Sequence, residues 1–511
     1  MNTVVPIGRS ANPFARDGVT VDDAGVPHFV DLPASLIAML ARHVQTTPDA
    51  EAVVELGGAR LTYRQLWDRA ARVAGGLRAG GLERGHRVAL RYAAGVDWTI
   101  AFWGILFAGG IVVAVNTRST EPEVQYVLDD SGAAVDLAPG VPLPDGAPYV
   151  DESASQSDVA ALFYTSGTTG RPKGVPTTHE AFLTNTENVA RCFAIPADIG
   201  PAMRTLICVP LFHVTGCNSQ LLVAAFYGGT AVIMPTLDLD ALITAITEER
   251  ITFMVTVPAI YALMLRHPGL AALDTAGVGW VAYGGAPIAP ALVQSLKAAF
   301  PAARVANGYG MTESASLMTV LPHEDAVDHA DSVGYAVASV DLGVVPFDDA
   351  DETFGELVVR GGNITAEYWQ RPDATDATII DGWLHTGDVV RVDAAGRIRI
   401  VDRTKDIINR GGENVSSIEV EAALMTVPGV LEAAVIAVPD DVLGEKVGAV
   451  VYGGGEPIDV TGMIAAVAEQ IADFKVPQYV AVIDEPLPRN PGGKIVKGRV
   501  RDAVTWGPPI R

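Results

Sequence analysis

The densest concentration of backbone freedom and side-chain donors in the chain runs from Tyr164 to Gly174, Tyr-Thr-Ser-Gly-Thr-Thr-Gly-Arg-Pro-Lys-Gly. Its glycines, Gly167, Gly170 and Gly174, let the backbone turn so that successive N–H groups face one concavity. The hydroxyls of Thr165, Ser166, Thr168 and Thr169 and the ammonium of Lys173 add donors to it. Converging N–H, O–H and ammonium groups are what a polyphosphate requires. The Gly-Lys-Ser/Thr ending of a P-loop is absent, so this is a different phosphate cradle. On composition alone, a Gly/Thr-rich surface turn stands as an equal reading.

Four further strings follow in order: Asn307-Gly308-Tyr309-Gly310-Met311-Thr312-Glu313; His385-Thr386-Gly387-Asp388; Asp402-Arg403-Thr404-Lys405-Asp406, with Gly411-Gly412-Glu413-Asn414 behind it; and Leu487 to Ile495, which holds Lys494. Together with the first, these strings resemble those of the adenylate-forming superfamily, which unites acyl-CoA synthetases, luciferases and the adenylation domains of peptide synthetases. The resemblance spans residues 61–499.

The resemblance implies a role for each residue. Thr165, Ser166, Gly167, Thr168, Thr169, Gly170 and Lys173 hold the ATP phosphates. Tyr309 stacks near the adenine, within the nucleotide-binding run Asn307, Gly308, Gly310 and Met311. Thr312 touches the α-phosphate and Glu313 helps hold Mg²⁺, a hard cation suited to carboxylate and phosphate oxygens. Asp388 accepts hydrogen bonds from the ribose hydroxyls, as an ionised carboxylate with several lone pairs can. Arg403 contacts the nucleotide, Lys405 sits at a hinge, and Gly411-Gly412 lie along the pantetheine arm of coenzyme A. A turn before a helix remains the plainer reading of those two glycines. Lys494 matches the catalytic lysine, an ammonium that offsets repulsion between an approaching carboxylate and the α-phosphate. Pro210 to Gly216, with His213, resembles the gate of an acyl tunnel. Tyr283 to Pro287, with Gly285, Ala286 and Pro287, resembles the opposite wall. Neither wall contains Lys or Arg, which disfavours a dicarboxylate or an amino acid, and the small residues leave room for a bulky or long acid. His385 is read as a structural hydrogen-bonder.

The implied reaction has two halves. ATP and a carboxylic acid give acyl-AMP and pyrophosphate; the thiol of coenzyme A then takes the acyl group and releases AMP. Two alternatives remain open: an acyl-AMP ligase that stops at the adenylate or passes the acyl group to a carrier protein or partner enzyme, and a nucleotide-binding regulator without catalysis.

The elements that must position these residues are legible in the pattern. Helical spacing runs from Leu61 to Gly81, with Thr62 as its cap and Gly80-Gly81 as its stop. Strand alternation appears at 87–92, 205–209, 230–234, 253–257 and 278–283, with helices between, which predicts α/β layers and mostly parallel sheets. Ligands of such sheets bind at the carboxyl ends of strands. A hairpin is expected around Asp393 to Gly396. Beyond it the pattern predicts a helix over 416–426, a strand over 433–438 and a helix over 460–473. The expected fold is α/β: a large N-terminal domain of layered sheets, residues 1–404, and a small mobile C-terminal α+β domain, residues 405–511. The flank through Asp31 matches nothing in the resemblance, and the stretch 132–157 is short, Pro/Gly/Asp-rich and poor in pattern.

A net charge of −24 argues against nucleic acid and anionic membrane surfaces as partners. Small molecules remain: a carboxylic acid, ATP with Mg²⁺, and coenzyme A, with oligomerisation left open. The longest apolar run, residues 100–115, falls short of the roughly 20 residues of a membrane span and reads as a buried helix passing into a buried strand. No secretory pattern opens the chain, so a cytoplasmic protein is expected. The three cysteines lack metal or disulfide spacing. Cys192 and Cys208 read as core, and Cys217 as a candidate for a pocket wall.

Overall fold

The structure, a computed structural model, describes residues 3–165, 171–348, 350–489 and 495–510. Among them the strands fall into sheets of nine, six and five strands in a large N-terminal part, a two-stranded hairpin at its start, and a five-stranded sheet in a smaller C-terminal part. The two sheets built from strand–helix alternation are mostly parallel, as expected. In the nine-stranded sheet Glu51–Glu55, Thr230–Ile233, Arg204–Ile207, Phe253–Thr256, Trp280–Gly284 and Arg304–Tyr309 run parallel side by side. In the five-stranded sheet Val159–Tyr164 lies parallel to Ile111–Ala114 and antiparallel to Gly174–Thr178.

Local sequence explains the helices that carry these layers. Helix Tyr63–Ala79 opens on a reciprocal cap: Thr62 Oγ1 accepts the Gln65 N–H at 3.2 Å, and the Gln65 side chain accepts the Thr62 N–H at 3.0 Å. It stops at Gly80. Its internal Gly75 has a packing reason, because a Cβ there would lie 1.8 Å from the Ala147 carbonyl oxygen. The pattern-poor stretch thus lies flat across this helix, bonded to it through Gly146 N–H to Arg72 O and Tyr149 N–H to Ala71 O. Helix Val96–Phe107 is apolar on every side and buried along almost its whole length, and it feeds the buried strand Ile111–Ala114.

The six-stranded sheet departs from the parallel expectation. Val340–Pro346, Phe354–Gly361, Trp383–Val392 and Ile398–Arg403 are successive antiparallel neighbours. The connections 347–353 and 393–397 are too short for the crossovers that parallel strands need, while the longer one, 362–382, carries the short helix Pro372–Thr378 and returns antiparallel all the same. The N-terminal flank, which resembled nothing, lays Val5–Pro6 along the edge of this sheet against Val340–Pro346.

The last strand of that sheet ends at Arg403, and the first strand of the smaller domain begins at Ile408. There Ser417–Met425 and Val460–Ala468 pack on a sheet containing Glu432–Asp440, Gly444–Tyr452 and Tyr479–Ile483. The second helix is shorter than expected. After Ala468 the chain turns so that Ile471 and Phe474 reach the same core, ending in a 3₁₀ turn at Asp473–Lys475. Among the described residues, no helix is long and apolar enough to cross a membrane.

Candidate active site

The parallel strands Trp280–Gly284 and Arg304–Tyr309 end side by side, with Gly284 opposite Gly308. A Cβ on Gly284 would lie 2.3 Å from the Gly308 carbonyl oxygen, so glycine is what lets the two strand ends close up. Gly285, Ala286 and Pro287 follow on the first loop and are exposed at the strand ends. On the second loop, Tyr309 begins a tight turn. A side chain at Gly310 would collide with Ser316 O, and the following residues, Met311 to Ser314, close into a 3₁₀ turn. Asn307 is buried within the strand.

Two clusters form around this turn. In the first, the Tyr309 hydroxyl donates a short hydrogen bond to Asp388 Oδ2, and Arg403 Nε lies 2.8 Å from Asp388 Oδ1. Asp388 is opposite Arg403 in the pairing of Trp383–Val392 with Ile398–Arg403, so backbone register delivers this ion pair. The Asp388 side chain is 6% exposed, the arginine 45%. Burial, and then the Asp388 charge, push the Tyr309 phenol well above its usual ionisation range, so it remains a donor. The loop leading to Asp388 is clamped by one carboxylate: Glu356 Oε2 is 2.9 Å from His385 Nδ1, and Glu356 Oε1 accepts the Gly387 N–H at 3.0 Å. His385 is a structural hydrogen-bonder, as the sequence suggested.

In the second cluster, Tyr368 donates to Glu313 Oε1 at 2.7 Å, and the Lys173 ammonium sits 3.8 Å from the centre of the Tyr368 ring. Glu313 is buried. Burial lowers the Lys173 pKa and the Glu313 charge works against that. The ends of the glycine-rich loop are pinned together, since Thr165 N–H donates to Lys173 O at 3.0 Å and Lys173 N–H donates to Thr165 Oγ1 at 3.2 Å. Ser166, Gly167, Thr168, Thr169 and Gly170, which span the loop between them, lie outside the described residues, as does Lys494. Among the described residues, no three His, Cys, Asp or Glu side chains gather into a metal cage. A single buried carboxylate beside a lysine fits a Mg²⁺ that arrives on a nucleotide and keeps most of its oxygens from phosphate and water.

Other sequence candidates lie apart from these clusters. Gly411 and Gly412 form the tip of a hairpin between Ile408–Arg410 and Glu413–Val415, with φ of +62° and +95°. Two successive positive-φ residues at a two-residue hairpin tip favour glycine strongly. Their backbone N–H groups bond Leu443 O and Asn409 Oδ1 within the smaller domain, and both glycines are exposed. His213 precedes the short helical turn Val214–Gly216, half-buried, with its ring 4.8 Å from that of Phe212. Cys217 is fully buried in the core rather than on a pocket wall. Cys208 is the partly exposed cysteine, and its thiol bonds Thr256 Oγ1 at 3.6 Å. Tyr368 and Glu356 were not anticipated. Each acts through a contact tens of residues away in sequence, and no spacing announces such a contact.

Comparisons with known proteins agree with this geometry. The model of the AMP-binding enzyme family matches residues 40–147 and 136–369, and that of the AMP-binding enzyme C-terminal domain matches 419–494. The chain is 35% identical over 497 residues to the long-chain-fatty-acid–CoA ligase FadD13 of Mycobacterium tuberculosis, covering 91% of this chain and 97% of that one. It is 36% identical over 486 residues to the feruloyl-CoA synthase of an Amycolatopsis species, covering 90% and 97%. Its fold matches the o-succinylbenzoate CoA synthetase of Bacillus subtilis, solved with its acyl-adenylate intermediate, at a TM-score of 0.82 and 26% identity, covering 92% and 99%. The chain therefore belongs to the AMP-binding, adenylate-forming enzyme family. It is an enzyme of the AMP-forming acyl-CoA synthetase type, which uses ATP to convert a carboxylic acid to its acyl-AMP.

Proposed function

We propose that this enzyme completes the reaction as an acid–thiol ligase, passing the acyl group from acyl-AMP to coenzyme A. The observation that supports the reading best is the pair of clusters four residues apart on one loop, Tyr309–Asp388–Arg403 and Glu313–Tyr368–Lys173. One supplies acceptors suited to ribose hydroxyls. The other holds an ammonium and a single carboxylate, groups of the kind a triphosphate and its Mg²⁺ would use. FadD13 and the feruloyl-CoA synthase, similar to this chain over nine-tenths of its length, are coenzyme A ligases by name.

In the proposed sequence, ATP·Mg²⁺ lies on the Thr165–Gly174 loop, with Lys173 and Thr312 toward its phosphates and Glu313 toward the metal. Lys494 draws the acid carboxylate to the α-phosphorus. A carboxylate oxygen bonds to phosphorus as the bond to pyrophosphate breaks, with no protein nucleophile needed. The smaller domain, residues 405–511, then turns about Lys405, withdrawing Lys494 and bringing the Gly411-Gly412 tip toward the pantetheine. The thiol sulfur bonds to the acyl carbon, its proton goes to solvent, and AMP leaves. The acid is read as an apolar monocarboxylate admitted past His213 and the wall Gly285, Ala286, Pro287. Neither wall offers a cation to a second carboxylate, and the two relatives are named for a long-chain and an aryl acid. An acidic chain that draws on ATP and coenzyme A fits the cytoplasm.

The test is mass spectrometry of products after incubation with ATP, Mg²⁺, coenzyme A and a pooled library of carboxylic acids. Acyl-CoA is expected. Acyl-AMP alone would overturn coenzyme A as the acceptor and favour a carrier-protein thiol, which a second incubation with a phosphopantetheinyl carrier would reveal.

A further inference from the structure

The chain from Thr365 to Arg371 straps the second cluster together, and its far end is anchored in a separate polar network. Thr365 N–H donates to Glu313 O at 2.8 Å, Tyr368 donates to the Glu313 carboxylate, and Trp369 N–H donates to Gly174 O at 2.8 Å. The strap is thus bonded both to the turn that carries Glu313 and to the residue after Lys173. Its last residue, Arg371, uses one nitrogen twice: Nη2 donates to Tyr126 Oη at 2.7 Å and to Asp130 Oδ1 at 2.7 Å.

Tyr126 and Asp130 stand four residues apart, and so on one face, of helix Glu121–Ser131. From there they hold both shoulders of the glycine-rich loop. Asp130 Oδ2 accepts the hydroxyl of Tyr164, which precedes the loop, at 2.9 Å. The Tyr126 hydroxyl accepts from Arg371, so its own proton is free for Pro172 O, 2.9 Å away and next to Lys173. Burial first, and then the Asp130 charge, raise both phenols above their usual ionisation range, so both remain donors. The Asp130 side chain is only 10% exposed, and bonds to a carboxylate are of the stronger, charge-assisted kind.

The arms of this network end on Pro172, Gly174 and Tyr368, the two chain neighbours of Lys173 and the ring beneath its ammonium. A lysine is a point charge on a flexible four-carbon stem, so where its backbone is held decides where the charge can reach. A displacement of about 1 Å in such a group can cost about a hundredfold in rate. We propose, on the reading that Lys173 and Glu313 meet the triphosphate and its Mg²⁺, that Tyr126, Asp130 and Arg371 are positioning residues of the adenylation step. They touch no substrate. They act through Pro172 and the strap, which set where the Lys173 ammonium and the Glu313 carboxylate stand.

Calorimetric titration with Mg²⁺ and α,β-methylene-ATP, which cannot break at the bond that adenylation breaks, tests this without an acid. AMP, which lacks the outer phosphates, is the control, because its ribose falls to Tyr309, Asp388 and Arg403. Tyr126→Phe keeps the ring and removes only the hydroxyl between Arg371 and Pro172. It should raise the Kd of the analogue about tenfold, the worth of one hydrogen bond, and leave the Kd of AMP unchanged, which also verifies that the variant is folded. Asp130→Asn, which keeps the shape and drops the charge that Arg371 binds, should act in the same direction. Lys173→Ala should weaken the analogue by itself, and Tyr126→Phe added to it should weaken it little further, because both act through one ammonium. An unchanged analogue Kd in Tyr126→Phe, equal losses for the analogue and AMP, or full additivity in the double variant would overturn the positioning role. An unchanged Kd in Lys173→Ala would instead overturn the reading of Lys173 itself, and the positioning role with it.

Discussion

Replacing Asp402 with alanine should loosen the smaller domain from the larger one without unfolding either. Asp402 is 1% exposed and lies at the end of Ile398–Arg403, a strand of the large domain. Its Oδ2 accepts the Ser417 N–H in a short bond and the Ser417 hydroxyl at 2.7 Å, and its Oδ1 accepts the Arg403 N–H at 2.7 Å. Ser417 opens the first helix of the smaller domain and takes a further bond from Lys497 Nζ at 2.5 Å. The side chain thus joins the two domains within a few residues of the proposed hinge. Charge-assisted hydrogen bonds are worth about 1.5–3 kcal/mol each and are not additive. Removing one member of a buried charged set costs about 3–5 kcal/mol in total. Spent on domain docking, that is roughly a 10²- to 4 × 10³-fold shift toward the undocked form. The assay is limited proteolysis across residues 404–416 alongside urea unfolding monitored by circular dichroism. Cleavage there should accelerate, and the smaller domain should unfold in a separate earlier transition while the large domain keeps its midpoint. Ser417→Ala should do the same more weakly. A single transition at the wild-type midpoint, with wild-type cleavage rates, would refute the reasoning.

Three further outcomes are expected. His179 is buried with Nδ1 accepting the Leu36 N–H at 3.2 Å, and burial pushes its pKa down to about 4. The unfolded chain takes up this proton at its ordinary value near 6.5, so the stability contribution is complete above pH 6.5 and drains as pH falls toward 4, by about 3 kcal/mol in all. Urea midpoints for wild type and His179→Gln between pH 7.5 and 4.5 should converge as pH falls, and parallel curves would refute the assignment. Tyr368→Phe removes the hydroxyl that orients Glu313 but keeps the ring beneath Lys173. Half-saturating Mg²⁺ in ATP–pyrophosphate exchange should rise roughly tenfold, the worth of one bond to a carboxylate, and an unmoved Mg²⁺ curve would count against that role. Lys494→Ala should slow adenylation by about 10²- to 10³-fold yet leave thioester formation from synthetic acyl-AMP near wild type. Equal losses in both steps would remove the proposed division of labour.

Much of the fold could be read from the sequence wherever a local rule governs. Thr62 announces its helix because its capping partner Gln65 is three residues away. The parallel strands announce themselves because helices must separate them. Of the antiparallel sheet, the hairpin around Asp393 to Gly396 was read from its turn residues, whereas the rest was missed because it lies in pairings such as Asp341 with Arg360, which register creates and spacing does not. The same holds for the site. Glu313, Asp388 and Arg403 stand in recognisable strings, whereas Tyr368 and Glu356 sit in loop and strand without a pattern of their own and matter only through what they touch. The two glycines at 411 and 412 were visible, but the hairpin that demands them was not, because its second strand is only three residues long.

The buried helix Val96–Phe107 also bears on how the protein is made. Its neighbours in the core include Phe163, Ala231 and Ile233, which follow it by some 55 to 140 residues. At a synthesis rate of about 5–20 residues per second, the helix and its strand wait roughly 3–25 s before those neighbours leave the ribosome. For that interval the apolar helix and strand are displayed without the part of the core that those later residues supply, a natural target for chaperones that bind nascent chains. Translation pace and chaperone supply, more than the stability of the finished enzyme, should therefore govern how much of it a host cell recovers in soluble form. Pulse-labelling with and without co-expressed trigger-type chaperones would measure that dependence directly.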